Sequence, residues 1–396
     1  MKKLSVLWIA LLLVVGGVIV TGCGSSSSDT TGSGGSTQET EAEETGGGEE
    51  TEAEGEEEAE TEESGVVAEA AAATKEAETI PTEILATEPV TPKAGSTIFH
   101  VACDLSLEGC ANQAKGLKSA VEAIGFKYEQ CNGGSSPETI SSCFKNAVNA
   151  KPDVIIPNGI GIEGAGEGFA EAKKAGIPIV GMFTGDPNGA EGVATEVAGE
   201  TCPEEGEAAA KWVIADSEGK ANVVFVGTQT YTCNKQRQEG FIKTMKTCPE
   251  CKASTLTFSI ATMQSSLPQQ LQAELQSNSE IEYMVGTFDA VSLAAAEAIR
   301  QAGKTEEIQV GGFDANGPNL EMIRNEEIQK FDVTSGTTEP GWVAADAAAR
   351  VINGEKLEPS TPVTTVMVTA NNIEQIGEAY VGAEGFEEQF KKLWGM

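Results

Sequence analysis

The sequence predicts an α/β protein built as two doubly wound parallel-sheet lobes behind a low-complexity leader. From Ser96 onward, short and nearly continuous apolar runs alternate with amphipathic segments of helical period, the pattern of parallel sheets covered on both faces. Roughly 300 residues follow Ser96, enough for two lobes of ordinary size, and they hold too many such units for one compact sheet. A weak, polar stretch from Gly185 to Cys202 falls near the middle, where one sheet can stop and another begin.

Taken in order, Ile98–Ala102 is expected as a strand and Asn112–Ile124 as a helix with one apolar face. The alternation repeats with Phe126–Gln130 and Pro137–Asn149, then with Asp153–Pro157 and Glu163–Ala175. Ile177–Met182, Ala221–Val226, Ser254–Phe258, Tyr283–Val285 and Ile308–Gly312 continue as strands. Helices are expected around 204–217, 234–247, 265–278 and 290–302. Ligands of such sheets bind beyond the carboxyl ends of the strands, so the loops after each strand are candidate binding elements.

The leader has its own logic. Lys2 and Lys3, an apolar run from Leu4 to Val20 and then small residues form a secretion signal, expected over 1–22. The stretch Val20-Thr21-Gly22-Cys23 resembles the lipobox of bacterial lipoproteins, which implies lipidation at Cys23. The alternative is an uncleaved anchor helix, since the run is at the short limit for spanning a bilayer. Residues 23–95 are Gly, Ser, Thr, Ala and Glu with few branched or aromatic residues, and are expected as a disordered acidic tether. Residues 24–95 carry 20 acidic and two basic residues, about half of the chain's net charge of −35. A flexible spacer of this length has an r.m.s. span of roughly 45–50 Å, extended further by self-repulsion. The remaining acidity argues against nucleic acid and against an anionic membrane surface as partners.

Export changes the meaning of the nine cysteines. Without Cys23 an even set remains for an oxidising compartment. Local spacing suggests Cys103–Cys110, Cys131–Cys143, Cys202–Cys233 and Cys248–Cys251, although sequence alone cannot choose among connectivities. Cys248-Pro249-Glu250-Cys251 is also half a zinc site, but His100 is the only histidine, so no metal is expected.

Several stretches then fall in a familiar order: Asp153-Val154-Ile155-Ile156-Pro157-Asn158, Ala175-Gly176-Ile177-Pro178-Ile179-Val180, Gln238-Glu239-Gly240-Phe241, Gly311-Gly312-Phe313-Asp314 and Arg350-Val351-Ile352-Asn353-Gly354-Glu355. In this order and spacing, residues 96 to about 370 resemble the type I periplasmic-binding proteins, in the branch of the ribose- and galactose-binding proteins. The resemblance implies two lobes, 96–199 with 336–360 and 200–335 with 361–396. It also implies a three-stranded hinge near Gly199, Ser335–Gly336 and Pro359–Pro362, and closure around one small ligand.

Carried over residue by residue, the resemblance places Arg237 and Asp314 at ligand-binding positions. Other positions depart from the sugar pattern. Phe183-Thr184 and Phe288-Asp289 stand where the ribose type has polar pairs, Ser335 replaces a hinge glutamine, and the loop beginning at Asp104 lacks an aromatic pair. Two polar contacts have become phenylalanines, so a ligand with a larger apolar or aromatic face is expected, with Tyr231 a further wall candidate. Trp342 is a second such candidate; lobe packing is the alternative for both and the favoured reading for Trp342, at the start of a helix.

Gly159-Ile160-Gly161-Ile162-Glu163-Gly164 also matches a dinucleotide fingerprint, with Asp186 further on, but Pro157-Asn158 separates it from its strand. No cofactor is expected. His100 lies within an expected strand, no Gly-x-Ser-x-Gly elbow occurs, and no carboxylate pair stands out, so the chain is read as a binder and not an enzyme. The expectation is a monomeric, lipid-anchored binding protein outside the cytoplasmic membrane that delivers a sugar or similar polar metabolite to an ABC permease. A sensory protein of the same fold presenting ligand to a receptor or kinase is the first alternative, and a secreted hydrolase the second. A repressor of this fold is excluded by the export signal and the missing DNA-binding headpiece.

Overall fold

The computed structural model describes residues 65–186, 189–358 and 360–396. The expected signal peptide, Cys23 and the first part of the tether lie outside the described residues. In chain order the strands are β1 (Thr97–Ala102), β2 (Lys127–Asn132), β3 (Val154–Pro157), β4 (Ile179–Met182), β5 (Val193–Val197), β6 (Asn222–Thr228), β7 (Lys252–Phe258), β8 (Tyr283–Gly286), β9 (Gln309–Phe313), β10 (Gln329–Thr334), β11 (Ser360–Thr361) and β12 (Val366–Thr369). The helices are α1 (65–77), α2 (Glu108–Ala123), α3 (Pro137–Ala150), α4 (Ile162–Ala175), α5 (Thr201–Asp216), α6 (Thr232–Met245), α7 (Met263–Ser277), α8 (Asp289–Ala302), α9 (Gly317–Arg324), α10 (Glu339–Ile352) and α11 (Phe386–Leu393).

The strands form two six-stranded sheets, ordered β11-β5-β4-β3-β1-β2 and β12-β10-β9-β8-β6-β7. All pairings are parallel except β10 with β12. Central strands such as β3 and β8 are buried at every position, which is why they read as unbroken apolar runs. Local signals set the ends of helices. Ser136 caps α3, accepting from Thr139 N at 3.2 Å, and Gly176 closes α4 in the left-handed conformation. The chain passes between the sheets from β5 to α5, from β10 to α10 and from β11 to β12.

The described residues differ from expectation in three places. First, Gly185–Cys202 is not strandless: it contains β5, and the chain leaves the first sheet only after Val197, still within this stretch. The alternation there is obscured by Glu196, a carboxylate buried inside the sheet at 2% exposure. Second, residues 65–95 are not tether. α1 lays Ala70, flanked by Val66, Val67 and Ala77, against α5 and the second sheet. Glu78 then accepts from Thr369 and Asn371 beside β12. Beyond it Ile84 and Val90 join the first lobe's core, Ile84 N bonding Gln389 and Val90 N bonding Leu393 O. Composition averaged over the acidic leader hid these few apolar residues at helical spacing.

Third, the segment 361–396 does not stay with the second lobe. Ile373, Ile376 and Tyr380 pack with β12, but Ala383, Phe386, Phe390 and Trp394 belong to the core around α10. Trp394 stacks on Trp342, with centroids 5.3 Å apart and planes within 2°. Trp342 is thus a packing residue, at 1% exposure. Between the two clusters, Thr337 N and Glu339 N donate to Tyr380 O and Val381 O, each at 2.8 Å. Glu339 in turn accepts from Thr364 and Ala383, both at 2.7 Å. The segments 65–95 and 366–394 therefore each run from the second lobe to the first.

Among the described residues no helix is long and apolar enough to cross a membrane.

Candidate functional site

The carboxyl ends of both sheets converge on a cavity of about 100 Å³. One water needs roughly 10–15 Å³, so this space suits a small molecule. The first lobe contributes Cys103 after β1, Asn158 after β3, Phe183 after β4, and Leu107 and Gln113 at α2. The second contributes Tyr231 and Arg237 at α6, Phe288 and Asp289 after β8, and Asp314 and Asn316 after β9. One apolar cluster joins Cys103 and Ile160 of the first lobe to Tyr231 and Phe288 of the second.

Arg237 organises the polar side. Its Nε donates to Glu205 at 2.7 Å, and Nη1 donates to Asp314 Oδ1 at 3.1 Å and to Thr287 O at 3.0 Å. Its guanidinium carbon lies 4.8 Å from the centroid of Phe313. Ser335 Oγ donates to the other oxygen of Glu205 at 2.5 Å. Burial pushes the Asp314 carboxyl up to about 6, opposed by the charge of Arg237. On the facing wall Asn158 donates to Gln113 at 2.9 Å.

Polar contacts cross the cleft. Tyr231 Oη donates to Gly134 O at 3.2 Å and accepts from Asp104 N at 3.3 Å. Asn112 Nδ2 donates to Asn316 Oδ1 at 3.0 Å, and Lys235 lies 3.5 Å from Glu163. The lobes are closed on one another.

Of the residues picked out by sequence, Phe183 from the first lobe and Tyr231, Arg237, Phe288, Asp289 and Asp314 from the second line one cavity, and Ser335 lines the adjoining space beside Glu205. Two are elsewhere. Thr184 is fully buried and turned onto Glu196, which takes its N–H at 2.5 Å and its hydroxyl at 2.6 Å. Asp104 folds onto its own loop, accepting from Ser106 N at 3.0 Å and Ser106 Oγ at 2.8 Å. In each case a nearby partner within the same lobe captures the side chain, an acceptor for Thr184 and a donor for Asp104. Glu205, Asn158, Gln113 and Asn316 were not picked out. Asn158 had a readable signal, a polar residue directly beyond a buried strand, whereas Glu205 sits on a helix with no local mark.

The four disulfides are Cys103–Cys110, Cys131–Cys143, Cys202–Cys233 and Cys248–Cys251. Cys103, Cys110 and Cys233 reach the cavity. The glycine-rich loop before α4 is not a pyrophosphate cradle, because Ile162 N donates to both oxygens of Asp186, at 2.9 and 3.0 Å. The helix terminus that a dinucleotide would use already holds the chain's own carboxylate. His100 is packed in β1, its Nδ1 2.8 Å from Tyr128 Oη, and burial lowers its pKa to about 3.

Two sheets with a ligand-sized cavity at their facing carboxyl ends and repeated crossings beside it define a two-lobed, hinge-closing binding protein. Residues 55–356 match the family described as periplasmic binding protein domain, and the chain belongs to that family. It is 23% identical over 247 residues to the D-apiose import binding protein of Actinobacillus succinogenes, covering 62% of this chain and 76% of that one. Among solved structures it is similar to an ABC sugar transporter subunit from Rhodobacter sphaeroides, with TM-score 0.63 and 20% identity over 70% of this chain and 99% of that one. It is also similar to a 5-methylthioribose transporter solute-binding protein from Thermotoga lettingae, with TM-score 0.67 and 18% identity over 78% and 99%.

Proposed function

We propose that this chain captures a small, uncharged polar ligand outside the cytoplasmic membrane and delivers it to an ABC import permease, anchored by lipid at Cys23. The observation that carries this reading is that Arg237, Asp314, Asn158 and Phe183 line one cavity from two lobes. A ligand touching both lobes stabilises the closed form by its differential affinity for that form. The arginine is already shared between Glu205 and Asp314, so the cavity offers no free cation to a carboxylate or phosphate. Phe183, Phe288, Tyr231 and the Cys103–Cys110 bridge favour a sugar or sugar-like molecule with an apolar ring face or substituent. The similar proteins named for D-apiose and 5-methylthioribose support that class. Catalysis is not part of the reading, since Asp289 and Asp314 are spent on holding the 314–316 turn and Arg237.

A thermal-shift screen of sugars, deoxy- and thiosugars, polyols, nucleosides and amino-acid derivatives tests this. A ligand at one hundred times its Kd adds about 2.7 kcal/mol to stability, a readily measured shift. Arg237→Ala abolishes that shift; a variant that binds normally places the site elsewhere.

A further inference from the structure

Behind the cavity-lining residues Asp289, Asp314 and Asn316 lies a buried polar network that reaches Asp332, which does not line the cavity. The turn after β9 places two consecutive non-glycine residues at positive φ, Asp314 at 105° and Ala315 at 55°. Such residues are held at a cost of order 1–3 kcal/mol each and persist only where their surroundings over-determine them. Here the restraint comes from two carboxylates. Ala315 N donates to Asp332 Oδ1 at 2.9 Å. Asn316 N and Nδ2 donate to Asp289 Oδ2 at 2.6 and 3.0 Å.

The two acids are themselves in contact. Asp332 lies in β10 and Asp289 opens α8, both almost wholly buried, and their side chains meet. Asp289 Oδ1 is buried and accepts no hydrogen bond from an N–H or hydroxyl. Asp332 Oδ2 accepts from Gln329 at 2.8 Å. Gly312, opposite Asp332 in the sheet, makes room: a Cβ there would lie 3.0 Å from Gln329 Nε2 and 3.1 Å from Asp289 Oδ1. Two buried carboxyls in contact cannot both ionise, so one proton lies between them. The charged groups facing the pair are Asp314 on the same turn, Arg237 on α6 and, through Arg237, Glu205 on α5.

We infer that Asp332 is a positioning residue of the cleft: sharing a proton with Asp289, it holds Asp314–Asn316 in the turn that presents Asp314 to Arg237 and Asn316 to Asn112 of the facing lobe. This rests on the cleft being the ligand site, but its test needs no ligand. Burial raises both carboxyls, that of Asp332 to about 7 and that of Asp289 further, so the pair still holds one proton once Asp332 has ionised and loses it only as pH rises beyond that range.

The experiment is amide hydrogen exchange on the full chain from about pH 7 to about pH 10, corrected for intrinsic rates. In the wild type, protection of Ala315 and Asn316 falls about tenfold or more across this window, while Val224 and Phe225 in β6 stay protected. Asp332→Asn keeps Oδ1 for Ala315 N and supplies an N–H in place of the shared proton, Gln329 Nε2 giving up this acceptor and retaining Phe331 O, so protection is kept and its pH dependence disappears. Asp332→Ala loses the protection at every pH, with β6 unchanged. An equal fall in Asp332→Asn and wild type overturns the inference, even if Asp332→Ala fails to fold. So does full protection at 315 and 316 in Asp332→Ala.

Discussion

Arg237 and Glu205 meet inside the second lobe, Nε 2.7 Å from a carboxylate oxygen, with side chains 6% and 0% exposed. An apolar pair of the same volume would pack there with less desolvation, so the ion pair is explained by the geometry it holds rather than by stability. With Asp314 on the other side, Glu205 fixes the plane in which the guanidinium enters the cavity. Removing Glu205 leaves a buried cation with one partner and frees Ser335. Glu205→Ala is expected to lower unfolding stability by about 3–5 kcal/mol in urea titrations. Binding of the best ligand from the sugar panel weakens at least about tenfold, equivalent to 1.4 kcal/mol. A variant within about 1 kcal/mol of wild type in both would remove this role for the pair.

Tyr231 is the cross-cleft counterpart. Its hydroxyl holds Gly134 O and Asp104 N, which are both on the other lobe, while its ring stays in the wall. Tyr231→Phe keeps the ring and deletes two hydrogen bonds worth roughly 0.5–1.5 kcal/mol each. The ligand-free equilibrium then shifts toward the open form by about 5- to 150-fold. Single-molecule distance measurements between the lobes read this directly; an unchanged distribution means that the hydroxyl is not a latch.

Much of the fold was legible because parallel strands buried on both faces leave unmistakable apolar runs, as at Val154–Pro157. β5 was not, because Glu196 interrupts its pattern, and α11 was not, because its apolar residues look toward α10, more than thirty residues earlier in the chain. The wall of the site came from resemblance and from strand ends, which brought six of the nine expected residues together. Glu205 and Asp332 remained hidden, since a polar residue inside a helix or strand carries no mark of the loop it holds.

Glu196 makes a pH prediction. Burial pushes its carboxyl from the ordinary 4.5 up to about 8, against the donors of Thr184 and Gly185 that favour the charged form. The folded chain therefore keeps a proton that the unfolded chain has released. That stabilisation is full below about 4.5 and is lost as pH rises through about 8. Asp314 and Asp332 slope in the same direction. Urea midpoints should thus fall between pH 5 and pH 8, and Glu196→Gln should make the fall shallower. An identical slope in the variant would mean that Glu196 is ionised throughout. The loop at stake carries Phe183, at a φ of 55°, into the cavity, so the same variant reports on the wall.

The last prediction concerns where the folded domain begins. If composition alone ruled, a protease would trim the chain back to about Ser96. In the structure, α1 is seated on α5 and the second sheet, Glu78 is bonded beside β12, and Ile84 and Val90 are buried against the first lobe. Val90 N reaches Leu393 O, so this segment also depends on the stack of Trp394 on Trp342. Brief digestion with a glutamate-specific protease should leave a core that still contains residues 65–95, despite Glu69, Glu76, Glu78, Glu83 and Glu88 within them. Trp394→Ala removes a buried indole at a cost of about 3–5 kcal/mol and should expose Glu83 and Glu88 to cleavage. A wild-type core that starts near Ser96 would show that the segment is not part of the folded domain.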